Sequence, residues 1–235
     1  MALSTLEVRW FVSGPVEETG RGVEAWFRTR PIDGDRGRRA PIEWTPAPPA
    51  WRRDRYLVIP GHDDMGIKWR EGRLEIKGRE AALGHRVLAP GIEGVCERWV
   101  KWSYAGASIE RRFLELFRGG AAQGIVLVEK RRLQRCIRLD PGLGPIEVGR
   151  DAPRQRGINI ELAQIRAGGS PHEAHWSLAF EAFPGDPQMP EPFAQVVAGF
   201  LEGCPALRLA AERSMAYPRW LLDLDRTAPP PAKRG

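Results

Sequence analysis

The chain has 235 residues, 42% hydrophobic and 28% charged, with a formal net charge of +6. It is long enough to bury a real core, and its composition is that of a globular protein. No apolar run reaches the ~18 residues of a membrane-spanning helix, and Met1–Val12 lacks the basic-then-apolar order of a secretory signal. Cys96, Cys136 and Cys204 stand far apart, which argues against a disulfide framework or a cysteine zinc site and for a reducing, cytoplasmic location. The basic excess favours anionic partners and does not choose between a small phosphate compound and nucleic acid.

In chain order, period-two alternation and β-branched or aromatic content predict strands over Thr5–Val12, Tyr56–Ile59, Gly66–Arg70, Arg73–Arg79, Val95–Tyr104, Gly124–Arg132, Arg135–Leu139, Ile158–Ile165 and His175–Phe183. Thr29–Arg55 interleaves Arg30, Arg36, Arg38, Arg39, Arg52 and Arg53 with Pro31, Pro41, Pro46, Pro48 and Pro49, and reads as an insertion or long loop. Arg70-Glu71-Gly72-Arg73 reads as a tight hairpin, with Gly72 supplying positive φ. Ser108–Arg118 carries Ile109, Phe113, Leu116 and Phe117 at helical spacing, with Ser108 as cap and Gly119 as stop. Pro192–Glu202 and Ala206–Met215 form a helical C-terminal section, and Thr227–Gly235 a disordered tail. Strands that precede helices suggest an α+β or β-barrel architecture, mainly β, in one domain over residues 1–226.

Side chains alternate between the faces of a strand. One face of Thr5–Val12 therefore carries Glu7 and Arg9, and the other Leu6, Val8 and Trp10. Lys68 and Arg70 oppose Ile67 and Trp69; Glu75, Lys77 and Arg79 oppose Leu74 and Ile76. Lys130 and Arg132 share a face, as do Glu97 and Lys101. Asn159 and Glu161 oppose Ile158, Ile160 and Leu162, and Glu181 opposes Phe180. Each polar face alone suits solvent. Together they suit a closed or nearly closed eight-stranded antiparallel tunnel, lined by charge and packed outside under helices. Converging Lys and Arg fit phosphate oxygens, and clustered carboxylates fit Mg²⁺ or Mn²⁺.

The order of these segments resembles the CYTH superfamily, the triphosphate tunnel metalloenzymes, which include inorganic triphosphatases, thiamine-triphosphatases and some adenylate cyclases. Thr5-Leu6-Glu7-Val8-Arg9 resembles the opening Glu-x-Glu-x-Lys, with Thr5 in place of the first acid. Lys68-Trp69-Arg70 resembles the basic pair, Leu74-Glu75-Ile76-Lys77 the hairpin strand ending in Lys, and Lys130-Arg131-Arg132 the later Lys-x-Arg. Ile160-Glu161-Leu162 and Ala179-Phe180-Glu181 resemble the late acidic strands, with Ala179 where the family often has an acid. The resemblance implies an eight-stranded antiparallel tunnel that binds a di- or triphosphate and hydrolyses it with a divalent metal. Arg9, Lys68, Arg70, Lys77, Arg79, Lys130 and Arg132 would hold phosphate; Glu7, Glu161 and Glu181 would hold metal, with Glu7 and Glu181 acting in catalysis. Two other readings stand beside it: a non-catalytic barrel for an anionic ligand, and nucleic-acid binding through the Arg30–Arg55 loop.

Other constellations carry less. His172-Glu173-Ala174-His175 follows a Gly/Ser/Pro run and reads as an exposed turn, and Asp63 and Asp64 as a polar turn. The cysteines, and Trp69, Trp99, Trp102 and Trp176, read as core.

Overall fold

The computed structural model describes residues 2–12, 16–32, 42–106, 108–109, 111–112, 115, 124–168, 174–204 and 209–227. Its elements are β1 (Leu3–Val12), α1 (Val16–Thr29), β2 (Arg52–Leu57), β3 (Met65–Arg70), β4 (Arg73–Ala89), β5 (Ile92–Ala105), β6 (Ile125–Arg138), β7 (Ile146–Val148), β8 (Gly157–Ala167), β9 (Ala174–Phe183), α2 (Pro190–Leu201) and α3 (Tyr217–Thr227). All neighbouring strands are antiparallel, in the order β2-β3-β4-β5-β1-β9-β8-β6. Pairing of Arg52–Leu57 with Ile125–Lys130 closes this ring into an eight-stranded barrel. β7 pairs with the far end of β6, beyond β2. No helix among the described residues is long and apolar enough to cross a membrane.

The outward faces of β1, β6, β8 and β9 are apolar, and α1 and α2 cover them. Leu6, Val8, Trp10, Leu133, Ile160, Leu178 and Phe180 pack with Val23 and Phe27 of α1 and Phe193, Val197 and Phe200 of α2 in one buried cluster. Fixing these faces outward forces Glu7, Arg9, Glu161 and Glu181 inward, because the side-chain period along a strand is two. The interior has a second, apolar zone where β1 ends. There Phe11, Tyr56, Val128 and Ile165 pack with Trp220 and Leu221 of α3. The Phe11 and Trp220 rings stack with centroids 4.5 Å apart and planes 3° apart. The segment leading into α3 is held to the barrel by the Met215 N–H, which donates to the Arg9 carbonyl at 2.9 Å. One end of the barrel is thus plugged by its own C-terminal helix.

Several elements differ from the sequence expectation. Gly124–Arg132 and Arg135–Leu139 are one continuous strand, β6. The sequence breaks its alternation by placing Arg135 on the apolar outer face. That guanidinium is buried yet satisfied, donating to Glu147 of β7 at 2.7 Å and to the carbonyls of Phe27 and Arg30 at 3.0 and 2.6 Å. β4 runs ten residues past Arg79 through three register shifts, which scramble the period-two pattern. β2 begins at Arg52, inside the stretch read as loop. α1 forms despite Gly20 and Gly22, because Val23 and Phe27 bury against the barrel. The helix expected over Ala206–Met215 is absent from its described part: Ala211–Arg213 is a single 3₁₀ turn, and Ser214 bridges to Trp10. The last helix starts at Tyr217 instead, with Pro218 in its first turn. Of Ser108–Arg118, the described residues 108, 109, 111, 112 and 115 are helical. Arg36, Arg38, Arg39 and the expected tail from 228 lie outside the described residues.

Gly94 in β5 is a point of close outer packing. A Cβ there would lie 2.6 Å from Trp10 Cζ2 and 2.6 Å from Val8 Cγ2. Gly94→Ala is expected to destabilise the fold by about 1–3 kcal/mol through overpacking. Gly149→Ala, with nothing within 4 Å of its Cβ, should stay within about 0.5 kcal/mol of wild type. Urea denaturation midpoints of the two variants check this.

Candidate functional site: a charged cavity inside the barrel

Between the plug and the opposite end lies a cavity of about 310 Å³. Arg9, Lys68, Arg70, Lys77, Lys101 and Arg132 line it, together with Glu7, Glu75, Glu97, Glu161 and Glu181. Tyr56, Trp99, Gln134, Asn159, Ala179 and Tyr217 are also in the wall. Every strand of the closed ring contributes a residue.

The charges are arranged as carboxylates wrapped in cations. Glu161 accepts from Lys130 Nζ at 2.6 Å, Arg132 Nη1 at 3.0 Å and Arg9 Nη1 at 3.2 Å. Burial alone would push its carboxyl up, but Lys130, Arg9 and Arg132 hold it well below the usual carboxylate range. Glu75 is ringed by Arg70 at 2.6 Å, Lys68 at 3.0 Å and Lys101 at 3.1 Å. Against the same burial penalty, Lys68, Arg70 and Lys101 bring it down to about 2. Each cluster sets three cations against one carboxylate, leaving a local excess of positive charge.

A second pattern is acidic. Glu7 of β1 stands directly opposite Glu97 of β5 and Glu181 of β9. Carboxylates so opposed repel unless compensated. Lys77 bridges Glu7 and, at 3.6 Å, Glu181. Burial disfavours its ammonium, but Glu181 and Glu7 prevail and hold its pKa above the ordinary lysine value. Glu97 is taken by Arg79 at 2.9 Å. The Thr5 hydroxyl, fully buried, donates to Glu7 Oε1. At this position Thr5 orients the neighbouring carboxylate instead of supplying one.

The barrel brings Glu7, Arg9, Lys68, Arg70, Lys77, Arg132, Glu161 and Glu181 to one cavity, with Lys130 just behind on Glu161. Arg79 is not part of the lining; it spans Glu97 and Asp63 and lies over the Trp99 ring. Asp63, at 3.8 Å from Arg219, also connects this region to α3. His172 and Glu173 lie outside the described residues. His175 is not on an exposed turn but on β9, its ring 5.5 Å from that of Trp220. Of the tryptophans read as core, Trp69, Trp99 and Trp176 are buried, whereas Trp102 is 37% exposed.

Sequence reasoning missed Tyr56 and Tyr217. Their rings stack 5.4 Å apart, and Arg9 and Lys130 lie over the Tyr217 ring at 4.9 and 5.4 Å. Tyr217 follows a segment with no strand periodicity, so nothing local placed it in the wall. Among the described residues, its buried hydroxyl has no hydrogen-bond partner, nor do Arg132 Nε and Gln134 Oε1. Unsatisfied buried polar atoms around one cavity are the mark of a surface that meets a bound molecule or ordered water.

Removing the charge of Glu75 should expose how much the clusters depend on their carboxylates. Glu75→Gln leaves Lys68, Arg70 and Lys101 without their shared counter-charge, a destabilisation of about 3–5 kcal/mol at pH 7. Because the folded pKa is depressed, Glu75 contributes fully above the ordinary value of 4.5, and its contribution fades as pH falls toward about 2. Wild-type stability should therefore fall more steeply than that of Glu75→Gln between these two pH values, as measured by urea unfolding across the range.

Comparison of the chain with protein-family models, curated proteins and solved structures finds no match.

Proposed function

We propose that the chain is a CYTH-like tunnel protein that binds a di- or triphosphate compound inside its barrel. One observation carries this reading: two three-cation clusters, on Glu161 and on Glu75, face a single cavity. Each has more positive charge than its carboxylate balances. Arg9, Arg70 and Arg132 offer planar forks to phosphate oxygens, and Lys68, Lys101 and Lys130 offer point charges. The unpartnered Tyr217 hydroxyl and Arg132 Nε supply two further donors in the same wall.

Mg²⁺ or Mn²⁺ would need oxygen donors converging on a point. The Glu97–Glu7–Glu181 row offers carboxylates, but Lys77 and Arg79 already hold them. Among the described residues, no three His, Cys, Asp or Glu side chains gather in a metal-binding group. With Lys77 and Arg79 on them, these carboxylates do not offer a divalent ion converging free oxygens. The compensation such an ion would bring is supplied by side chains, which favours a binding barrel. Phosphoanhydride hydrolysis is the second reading, and the acidic row itself favours it, since those carboxylates would serve a metal once Lys77 moved aside.

Titration calorimetry with tripolyphosphate tests the proposal. Lys68→Ala and Arg132→Ala, one from each cluster, should each raise Kd about tenfold or more, or about 1.4 kcal/mol. Absence of binding to tripolyphosphate, pyrophosphate and nucleotides by wild type would falsify it. Phosphate release that requires Mg²⁺ or Mn²⁺ and disappears in Glu181→Gln would establish hydrolysis; binding without release leaves the binding barrel.

Anion binding should also depend on pH through Lys130. Burial lowers its pKa to about 7, with Arg9, Arg52 and Arg132 acting in the same direction and Glu161 opposing. As pH falls through 7 the lysine gains its proton, adding a positive charge to the cluster. Sulfate, which stays fully ionised, should bind more tightly at pH 6 than at about 8.5, and Lys130→Met should flatten that dependence.

A further inference from the structure

Outside the barrel, the strands β2, β6 and β8 carry a second basic surface. Their outward positions include Arg53 and Arg55 on β2, Glu129 and Arg131 on β6, and Gln164 and Arg166 on β8. Arg53 stands opposite Glu129, Glu129 opposite Arg166, and Arg131 opposite Gln164. Among the described residues of these three strands, four arginines therefore share one outward carboxylate, and Arg53 already holds it at 3.0 Å; Glu24 of α1 also attracts Arg131 but is bonded to Arg28 and Trp44. Arg131 donates through Nε to the Gln164 side-chain carbonyl at 2.5 Å, while Arg166 Nε is buried with no hydrogen-bond partner among the described residues. Among the described residues, Arg55, Arg131 and Arg166 form no salt bridge. The arginines facing the cavity differ in this respect, since Arg9, Arg70 and Arg132 each pair with an acid.

Tryptophan holds these cations in place. The Trp51 ring lies 4.1 Å from the Arg166 guanidinium carbon and 4.9 Å from that of Arg131, and Trp44 lies 5.1 Å from Arg131. A guanidinium fixed against an indole has already given up much of its rotamer freedom and keeps its N–H edges for an acceptor. Two such cations side by side repel, and burial and Arg166 weaken the hold of Arg131 on its proton, with Glu24 only partly opposing them. An anion seated across them relieves that repulsion. From β2 to β8 the patch crosses two strand spacings, about 10 Å, wider than one phosphate group covers. Such a spread suits a chain of phosphates, and indoles between the charges suit a strand with open base faces.

We infer that this outer face binds single-stranded nucleic acid, with Arg131 and Arg166 anchoring the phosphate backbone beside Trp51, and Arg53 and Arg55 extending the surface. This face is separate from the cavity and does not depend on what the cavity binds.

Fluorescence anisotropy with a labelled single-stranded oligonucleotide lacking terminal phosphates tests the inference, because such a probe offers no di- or triphosphate to the tunnel. Wild type should bind it, and affinity should fall between about 50 and 200 mM salt. Arg131→Gln combined with Arg166→Gln should weaken binding about tenfold or more. It should also make the salt dependence shallower by about 1.4 in log–log slope, because two phosphates are no longer neutralised and each accounts for about 0.7 on a single strand. Tripolyphosphate binding and melting temperature of that variant serve as controls for an intact barrel. If it does not fold, Arg53→Glu with Arg55→Glu replaces it, because both positions are exposed, and a similar weakening is expected. No wild-type binding at the lower salt overturns the inference. So does binding that survives in the surface variants, including binding that Lys68→Ala removes, since that would place the oligonucleotide in the tunnel.

Discussion

Glu161 and the three cations on it sit inside a closed barrel, and neither side of this cluster tolerates the position alone. A carboxylate taken from water loses several kcal/mol of hydration, and each buried cation loses a similar amount. The loss is offset only by short, multiple interactions, such as those made by Lys130, Arg132 and Arg9. These partners come from β6 and β1, which lie on either side of β8 and β9 in the ring. The cluster therefore forms only when β6, β8, β9 and β1 are assembled in register. Glu75 repeats the arrangement with Lys68 and Arg70 of β3 and Lys101 of β5. A charged interior of this kind contributes little net stability compared with an apolar core, and its value lies in the polar wall it leaves around a cavity.

Division of the interior into two zones gives that wall its use. Along β1 the inward residues run Thr5, Glu7, Arg9 and Phe11, from charged cavity to aromatic plug. Trp220 stacks on Phe11, and Tyr217 stacks on Tyr56 at the boundary, so α3 closes one end with aromatic rings. The low-dielectric plug strengthens the nearby electrostatics: Lys130, packed toward it, is the most strongly destabilised ammonium of the two clusters.

The outside shows the same rule with different solutions. Arg135 occupies an outward position under α1 and is neutralised by Glu147, which β7 presents to it. Arg131, four positions earlier on the same face, receives indole rings and an amide instead of an acid. Two arginines of one strand thus differ in whether a salt bridge neutralises them.

The direction of each side chain was legible in the amino-acid order. Alternation is local, so Glu7 and Arg9, Lys68 and Arg70, Glu75 and Lys77, and Glu161 and Glu181 could be assigned to one face from their spacing alone. The hairpin at Gly72, which adopts φ +75°, and the helix near Pro192–Glu202 were legible in the same way. Where buried charge or bulges interrupt the alternation, as at Arg135 and beyond Arg79, strand limits were not. Which charges meet was settled at the tertiary level. Closure of β2 onto β6, the pairing of Glu161 with Arg9 across 152 residues of chain, and the arrival of Tyr217 in the wall all join distant segments. No local pattern encodes them, because the burial that makes those pairs favourable does not exist until the barrel has closed.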